Sequence, residues 1–261
     1  MIGVISVGCV TPLGEDPLVV GEALRRGAMA VRDQDHLLLL PDARAAMVPG
    51  PDLGPWLKRK KDLRLLPRAA VLALPAAGRA MGSWVGDPEE LPLLVAVGRE
   101  PPDSEDAEAS LAAMATDGLL DREKLGGVGR ALYPPLLPLR TLPNMILAHV
   151  SIAHGIRGEN ATFAGGTEAG YQAIDEAVRL IQRGHPRVLV GASFAGTDLP
   201  SARDRLRLGG EDPPGEAAIF VLLGEGGRPL PARDLAWERR WIDACGDCGA
   251  VNGLAAFLRE G

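Results

Sequence analysis

The residues of this chain that are best placed for chemistry lie in a glycine-rich turn, Gly165-Gly166-Thr167-Glu168. The sequence predicts a short strand at residues 161–164 before the turn and an amphipathic helix after it. A side chain at the first position of such a helix is held away from the sheet, at the positive end of the helix dipole. Enzymes place a nucleophile at this kind of turn. Thr167 is therefore the candidate nucleophile position, and Glu168 is the neighbouring candidate carboxylate.

Thr167 would need a general base to act as a nucleophile. The helix dipole contributes about 0.3–2 kcal/mol and one pKa unit corresponds to about 1.4 kcal/mol, so the dipole alone leaves the hydroxyl protonated. His149 and His154 precede the turn and are the histidines that could approach it. The commoner role for both is a position in the core or in an interface. For Glu168 the alternatives are helix capping and a carboxylate inside a pocket.

The elements that must position this turn alternate between strands and helices. Apolar runs predict buried strands at residues 2–9, 93–98, 187–192 and 216–223. Helices are predicted at residues 17–26, 56–81, 144–154 and 249–259. In the helix after the turn, five apolar residues share one face: Ala173, Ile174, Ala177, Val178 and Ile181. We expect Pro67 and Pro75 to break the second helix. This alternation is typical of an α/β fold.

The composition excludes several classes of function. The chain has 261 residues, 46% of them apolar and 24% charged, which suits a globular protein. Its net charge of −6 argues against nucleic acid and anionic membranes as partners. No apolar run in the sequence approaches the ~20 residues of a membrane span. Residues 1–14 are expected to form a buried strand and not a signal peptide, so a cytoplasmic location is expected. Cys245 and Cys248 form a C-x-x-C pair without two further zinc ligands nearby, and neither a metal nor another cofactor is predicted.

Four segments together resemble one protein family. They are residues 8–14 (GCVTPLG), residues 61–64 (KDLR) with the alanine-rich helix that follows, residues 144–158, and residues 158–191 around the turn. In this order and spacing they resemble the β-ketoacyl synthases, which have the thiolase fold. The resemblance implies an α/β, thiolase-like fold with a mixed sheet covered by helices. It implies a synthase N-terminal-like domain at residues 1–200, and a shortened remnant of a largely truncated second half at residues 201–261, packed on the first.

The departures from the family bear on catalysis. The family has a cysteine where this chain has Thr167, and its second half supplies two catalytic histidines that find no match here; Asp243 falls near the position of one of them. The resemblance therefore implies a chain that is not a ketosynthase by itself. It resembles a chain-length factor, a non-catalytic subunit that pairs with an active ketosynthase in type II polyketide or fatty-acid-like biosynthesis and shapes the acyl tunnel.

The resemblance also implies contact surfaces. The residues expected at the acyl tunnel or subunit interface are Met145, Ile146, His149, His154 and Phe163. Because an acidic protein needs a local positive patch to bind an acidic acyl carrier protein, the residues expected to dock the carrier are Lys58, Arg59, Lys60, Lys61 and Arg64. Two alternatives stay open. One is a reduced thiolase-fold enzyme that decarboxylates or hydrolyses acyl or malonyl thioesters; the other is a homodimeric scaffold without an acyl ligand.

Overall fold

The computed structural model describes residues 1–57, 60–82, 84–98, 110–133 and 142–259. The strands are β1 (Ile2–Val10), β2 (Arg32–Asp33), β3 (Arg44–Ala45), β4 (Leu93–Val97), β5 (Ala115–Thr116), β6 (Leu119–Leu120), β7 (Asn160–Ala164), β8 (Arg187–Ala195), β9 (Glu216–Glu225) and β10 (Arg228–Pro229). The α-helices are α1 (Pro17–Arg25), α2 (Arg68–Met81), α3 (Arg122–Lys124), α4 (Arg130–Leu132), α5 (Met145–His154), α6 (Thr167–Gln182), α7 (Leu199–Arg207) and α8 (Leu235–Cys245). A π-helical turn (Leu125–Gly129) joins α3 to α4, and 3₁₀ helices cover Asp35–Leu37, Lys60–Leu65, Pro88–Glu90 and Gly249–Leu258.

Six of these strands form one mixed sheet in the order β10-β1-β9-β8-β4-β7. β4 pairs in parallel with β7 and with β8. β9 is antiparallel to both of its neighbours, β1 and β8, and β10 is antiparallel to β1. The predicted α/β fold with a mixed sheet covered by helices is confirmed.

Side chains that alternate along the strands fill two separate cores. On β9, Ile219 and Val221 belong to one core, and Phe220 and Leu222 belong to the other; all four are fully buried. The first core lies under α1, α6, α8 and the 3₁₀ helix Gly249–Leu258, and the second lies under α2 and α5. Because both faces are covered, these strands have continuous apolar sequences.

The segment after residue 200 contributes to the same sheet as the segment before it. Its strand β9 lies between β1 and β8, and its 3₁₀ helix Gly249–Leu258 packs against α6. The division into residues 1–200 and 201–261 stays a prediction, and the two ranges share a sheet and a core.

A buried ion pair ties β9 to the start of α2. Glu216 is fully buried, and its carboxylate accepts hydrogen bonds from Arg68 Nη2 at 2.6 Å and Arg68 Nε at 3.0 Å. The backbone N–H of Val48 and the hydroxyl of Thr197 also donate to it, at 2.7 and 3.3 Å. These four donors replace the hydrogen bonds to water that the carboxylate loses when it is buried.

Two of the expected elements differ from the structure. The break expected at Pro67 is present, since Pro67 precedes α2 directly, but the break expected at Pro75 is wrong because α2 continues through it. An interior proline costs a helix about 3 kcal/mol, and here the buried residues around Pro75 pack against β1 and β9, which offsets that cost. No helix is predicted between the strands expected at residues 187–192 and 216–223, but the structure has α7 there; Asp198 caps its first turn through a 2.9 Å bond from Ser201 N.

Candidate functional site

The glycine-rich turn lies at the carboxyl ends of the parallel strands. β7 ends at Ala164, α6 begins at Thr167, and Gly165 N donates to the carbonyl of Val97 at the end of β4, at 3.0 Å. Among the residues that the structure describes, no atom lies within 4 Å of a Cβ added to Gly166. Ligands of open α/β sheets bind outside these carboxyl ends, so the predicted strand–turn–helix arrangement places Thr167 where a site is expected.

The hydroxyl of Thr167 accepts a hydrogen bond from the side-chain amide of Asn252, at 3.3 Å. Asn252 is 2% exposed and lies in the 3₁₀ helix that packs against α6. Its Oδ1 accepts from the indole N–H of Trp241 at 3.0 Å and from the backbone N–H of Cys248 at 3.1 Å. Two obligate donors therefore fix the orientation of the amide, and its NH₂ group must point towards Thr167.

The same amide connects the turn to a charged pair. Asn252 Nδ2 donates to Asp247 Oδ1 at 2.7 Å, and the backbone N–H of Gly249 donates to the same oxygen at 2.9 Å. Asp247 Oδ2 lies 3.1 Å from Nη2 of Arg205 on α7. A continuous polar network thus runs from Thr167 to α7.

A cavity of about 600 Å³ opens beside the turn. Its lining includes the glycines of the turn, the apolar residues Phe194 and Leu208, and the polar residues Ser201, Asp204, Arg205 and Asp247. This volume is within the range of small-molecule sites, about 300–1,000 Å³.

Glu168 lies at the surface. Its side chain is 67% exposed and forms an ion pair with Arg233 at 2.7 Å. The guanidinium of Arg233 also lies over the ring of Tyr171, 4.2 Å from its centroid. Burial and the bond to the carboxylate of Glu238 raise the pKa of Tyr171 above its usual value. The contacts of Glu168 therefore join α6 to the segment before α8 and do not involve the hydroxyl of Thr167.

His154, one of the two histidines considered as a general base for Thr167, is held by other contacts. His154 Nε2 bonds with the carbonyl of Leu74 on α2 at 3.0 Å, and its ring lies 5.5 Å from that of Trp56. Burial lowers the pKa of His154. His36 Nε2 bonds with the carbonyl of Thr197 at 2.8 Å, and His185 lies 3.3 Å from Glu159.

The residues predicted to form the tunnel lie on two faces of the sheet. Met145, Ile146, His149 and His154 are on α5, which packs against α2, and Ile146 is 3% exposed in that core. Phe163 on β7 packs against the opposite core. The structure therefore does not bring these five side chains together within one chain, and their role at a tunnel or interface stays a prediction.

The predicted carrier-docking cluster is partly described. Lys58 and Arg59 lie outside the described residues, Lys60 and Lys61 begin the 3₁₀ helix Lys60–Leu65, and Arg64 in the same helix is exposed. Asp243, near the expected position of a family histidine, instead pairs with Arg239 at 2.8 Å on α8.

The three cysteines are buried and form no disulfide bond. Burial raises the pKa of Cys9 to about 12, and it also raises the pKa of Cys245 and Cys248. Within the described ranges no group of three or more His, Cys, Asp or Glu side chains is arranged to hold a metal ion. In the same ranges no helix is long and apolar enough to cross a bilayer.

Comparison with known proteins identifies the fold. No protein-family model matches the chain, and no curated protein matches its sequence. The ishigamide ketosynthase/chain length factor is similar in structure, with a TM-score of 0.65 at 22% identity over 87% of this chain and 64% of that one. A type II polyketide synthase acyl-carrier protein in complex with its ketosynthase, bound to the hexaketide, gives 0.62 at 19% identity over 86% and 62%. A β-ketoacyl synthase from Burkholderia phymatum gives 0.66 at 16% identity over 99% and 77%.

The chain has a ketosynthase-like thiolase fold. It spans less than two thirds of the first two chains, 64% and 62% of their lengths. Within this ketosynthase-like fold, sequence reasoning missed the residues that surround the turn: Phe194, Arg205, Asp247 and Asn252. Two signals were available: the sequence Gly246-Asp247-Cys248-Gly249, whose glycines indicate a turn before the last helix, and the basic cluster Arg203, Arg205 and Arg207.

Proposed function

We propose that the protein is a non-catalytic ketosynthase-like subunit. Like a chain-length factor, it would pair with an active ketosynthase in type II polyketide or fatty-acid-like biosynthesis. The observation that carries this proposal is the environment of the Thr167 side chain. Its hydroxyl is bonded to Asn252 at 3.3 Å, and the described residues that line the cavity include Gly165 and Gly166 but not Thr167. A hydroxyl at this position needs a general base, and His154, one of the two candidate histidines, is bonded to the carbonyl of Leu74 instead.

The unpaired edge of the described sheet is an argument for a partner chain. β7 is the last strand in the order of the described sheet, so one of its edges is unpaired there. Beside it, Ile152 on α5 is 68% exposed and lines a depression of about 500 Å³ together with Thr162 of β7. An edge strand with an apolar neighbour suits strand addition or packing by another chain. The similar ketosynthase/chain length factor structure makes a ketosynthase the partner we propose.

The carrier protein is the second proposed partner. One similar structure is a ketosynthase in complex with its acyl-carrier protein. By analogy, we assign carrier docking to the basic segment from Lys58 to Arg64, since a positive patch on an acidic chain attracts an acidic protein.

The pairing is tested by co-expression with an active ketosynthase and native mass spectrometry. We expect a one-to-one complex and a changed distribution of product lengths. Ile152→Lys should weaken the complex, because it places a charge beside the open edge. The matched control is Leu235→Lys, which changes an apolar residue of similar exposure, 64%, on α8. Absence of the complex, or equal loss with both variants, contradicts the proposal; a homodimer alone supports the scaffold alternative instead.

The non-catalytic assignment is tested by Thr167→Val, which keeps the shape of the side chain and removes its hydroxyl. We expect the complex with this variant to give the same products at the same rate. We also expect the purified chain to release neither carbon dioxide nor free acid from malonyl or acyl carrier protein. Release that Thr167→Val abolishes would establish the reduced enzyme in place of the non-catalytic subunit.

A further inference from the structure

A second cavity, also of about 600 Å³, lies at the amino ends of the parallel strands. It opens between the segment that leads into β4 and the segment that leads into β8, and these two strands are neighbours in the sheet. The glycine-rich turn is bonded to the other end of β4, at Val97. Because β4 has five residues, each with a rise of about 3.3 Å, its two ends are roughly 16 Å apart. This cavity is therefore separate from the candidate functional site.

One part of the cavity wall is apolar, and a glycine fixes its aromatic ring. The apolar lining residues are Trp84, Val85, Leu91 and Pro186. A Cβ added to Gly86 would lie 2.1 Å from Cζ2 of Trp84, so the indole ring rests on the backbone of Gly86. The same side chain packs against the core under α2 and α5. An aromatic wall held in this way offers a surface to an apolar chain or to a cation.

Charged side chains of opposite sign line the cavity from its two segments. Asp87 and Glu90 belong to the segment before β4, and Arg187 begins β8. Asp87 Oδ1 accepts from the backbone N–H of Glu89 at 2.9 Å, and Arg187 Nη1 donates to the carbonyl of Pro186 at 2.7 Å. Within the described ranges, neither Glu90 nor Arg187 forms an ion pair. The cavity therefore has an acidic side and a basic side, and each side can still accept a charged partner.

This combination of charges selects the kind of ligand. A simple anion would be repelled by Asp87 and Glu90, and a simple cation would be repelled by Arg187. The imidazole of His185, which also lines the cavity, lies 3.3 Å from Glu159 and already has a carboxylate partner. A molecule that carries both an ammonium and a carboxylate group satisfies both sides through charge-assisted hydrogen bonds, which are roughly twice as strong as neutral ones.

We propose that this cavity binds a small zwitterion, an amino acid whose ammonium and carboxylate groups are separated by an apolar chain. The ammonium group binds Asp87 and Glu90 beside the indole ring of Trp84, since the carboxylates and the ring face both attract a cation. The carboxylate binds the guanidinium of Arg187, and the apolar chain packs on Leu91. The inference goes beyond the proposed function, which concerns the edge of β7 and the basic segment before α2. It requires no partner chain.

The test measures binding of 6-aminohexanoate to the purified chain by calorimetry. Hexanoate and hexylamine are the comparison ligands, because each keeps the apolar chain and one of the two charges. We expect both to bind at least about tenfold more weakly, which corresponds to the loss of one hydrogen bond between charged groups. In a series from 4-aminobutanoate to 8-aminooctanoate, affinity should peak at one length, because the two charged sides are a fixed distance apart.

Two variants test the two sides separately. Arg187→Gln should weaken binding of 6-aminohexanoate at least about tenfold without weakening hexylamine, and Glu90→Gln should weaken both ligands. Glu211→Gln is the matched control, since Glu211 is an exposed glutamate that does not line this cavity, and it should bind as the wild type does. Circular dichroism shows whether Arg187→Gln is folded; Glu90 is exposed, and its variant decides the matter if Arg187→Gln is not.

Three results would overturn the inference. The first is a wild type that binds 6-aminohexanoate no more tightly than hexanoate or hexylamine. The second is an affinity that rises steadily along the series of amino acids, as an apolar surface without fixed charges would give. The third is a folded Arg187→Gln or Glu90→Gln that binds 6-aminohexanoate as the wild type does. Co-expression with a ketosynthase scores the pairing separately.

Discussion

Asn252→Ala should destabilise the protein strongly, because the Asn252 side chain is the acceptor for two buried N–H groups. The side chain is 2% exposed and takes part in four hydrogen bonds. Two of them satisfy the indole N–H of Trp241 and the backbone N–H of Cys248, and both of these residues are fully buried. Alanine would leave both donors without an acceptor.

The expected magnitude follows from these two donors. Each buried N–H group left without a partner costs about 1–3 kcal/mol, so the two together cost about 2–6 kcal/mol. A loss near 4 kcal/mol would lower the melting temperature of a chain of this size by roughly 8–16 °C. The bond to Thr167 adds little, because it is long and the hydroxyl is partly exposed.

This loss is measured by urea unfolding monitored by circular dichroism, with the same m-value expected for the variant and the wild type. Asn144→Ala is the control, since Asn144 is exposed at the start of α5 and makes no side-chain capping bond there; it should change the unfolding free energy by less than about 0.5 kcal/mol. A loss below about 1 kcal/mol for Asn252→Ala would refute the reasoning that the amide satisfies two otherwise orphaned donors.

Three further substitutions test other contacts. Glu216→Gln should lower the unfolding free energy by about 2–4 kcal/mol, measured by urea titration. This is less than the ~5 kcal/mol expected for a fully buried pair, because the side chain of Arg68 is 37% exposed. An unchanged urea midpoint would contradict this prediction. Glu168→Gln should leave the melting temperature unchanged, because its pair with Arg233 is solvent-exposed; a clear drop would show that the pair is structural. For His154, burial places the folded pKa below the ordinary 6.5, so the unfolded state binds the proton first. The wild type should therefore lose stability relative to His154→Gln as the pH falls below 6.5, and parallel pH profiles would be evidence against it.

The strands could be predicted because their surroundings are uniform. β1 and β9 are covered by helices on both faces, so their sequences are mostly apolar, and a run of apolar residues was enough to find them. The order of the strands was not accessible in the same way, since the place of β9 between β1 and β8 depends on contacts between distant segments. α2 continues through Pro75 for the same reason: packing against the sheet outweighs the local preference.

The part of the site whose residues are adjacent in sequence could be predicted, and the part that comes from distant segments could not. The turn at Thr167 follows from a strand, two glycines and a helix that are adjacent in sequence. The partner of its hydroxyl, Asn252, lies 85 residues further along the chain. The glycines whose added Cβ atoms would contact the ring of Phe194 are likewise spread over the chain: Gly98, Gly196 and Gly249. Each resembles an ordinary turn residue when taken alone.

The packing of α6 on the 3₁₀ helix Gly249–Leu258 explains why the hydroxyl of Thr167 lies next to the side chain of Asn252. A Cβ on Gly170 would lie 2.3 Å from the carbonyl of Ala250, and one on Gly253 would lie 2.6 Å from the carbonyl of Thr167, so the two backbones meet where both helices have glycine. This contact brings Asn252 within reach of the Thr167 side chain. A hydroxyl oxygen accepts the amide proton well, whereas a thiol sulfur is a weak acceptor. A cysteine here would lose this one hydrogen bond, which is a small loss because the bond is long; the close approach of the two helices depends mainly on the paired glycines.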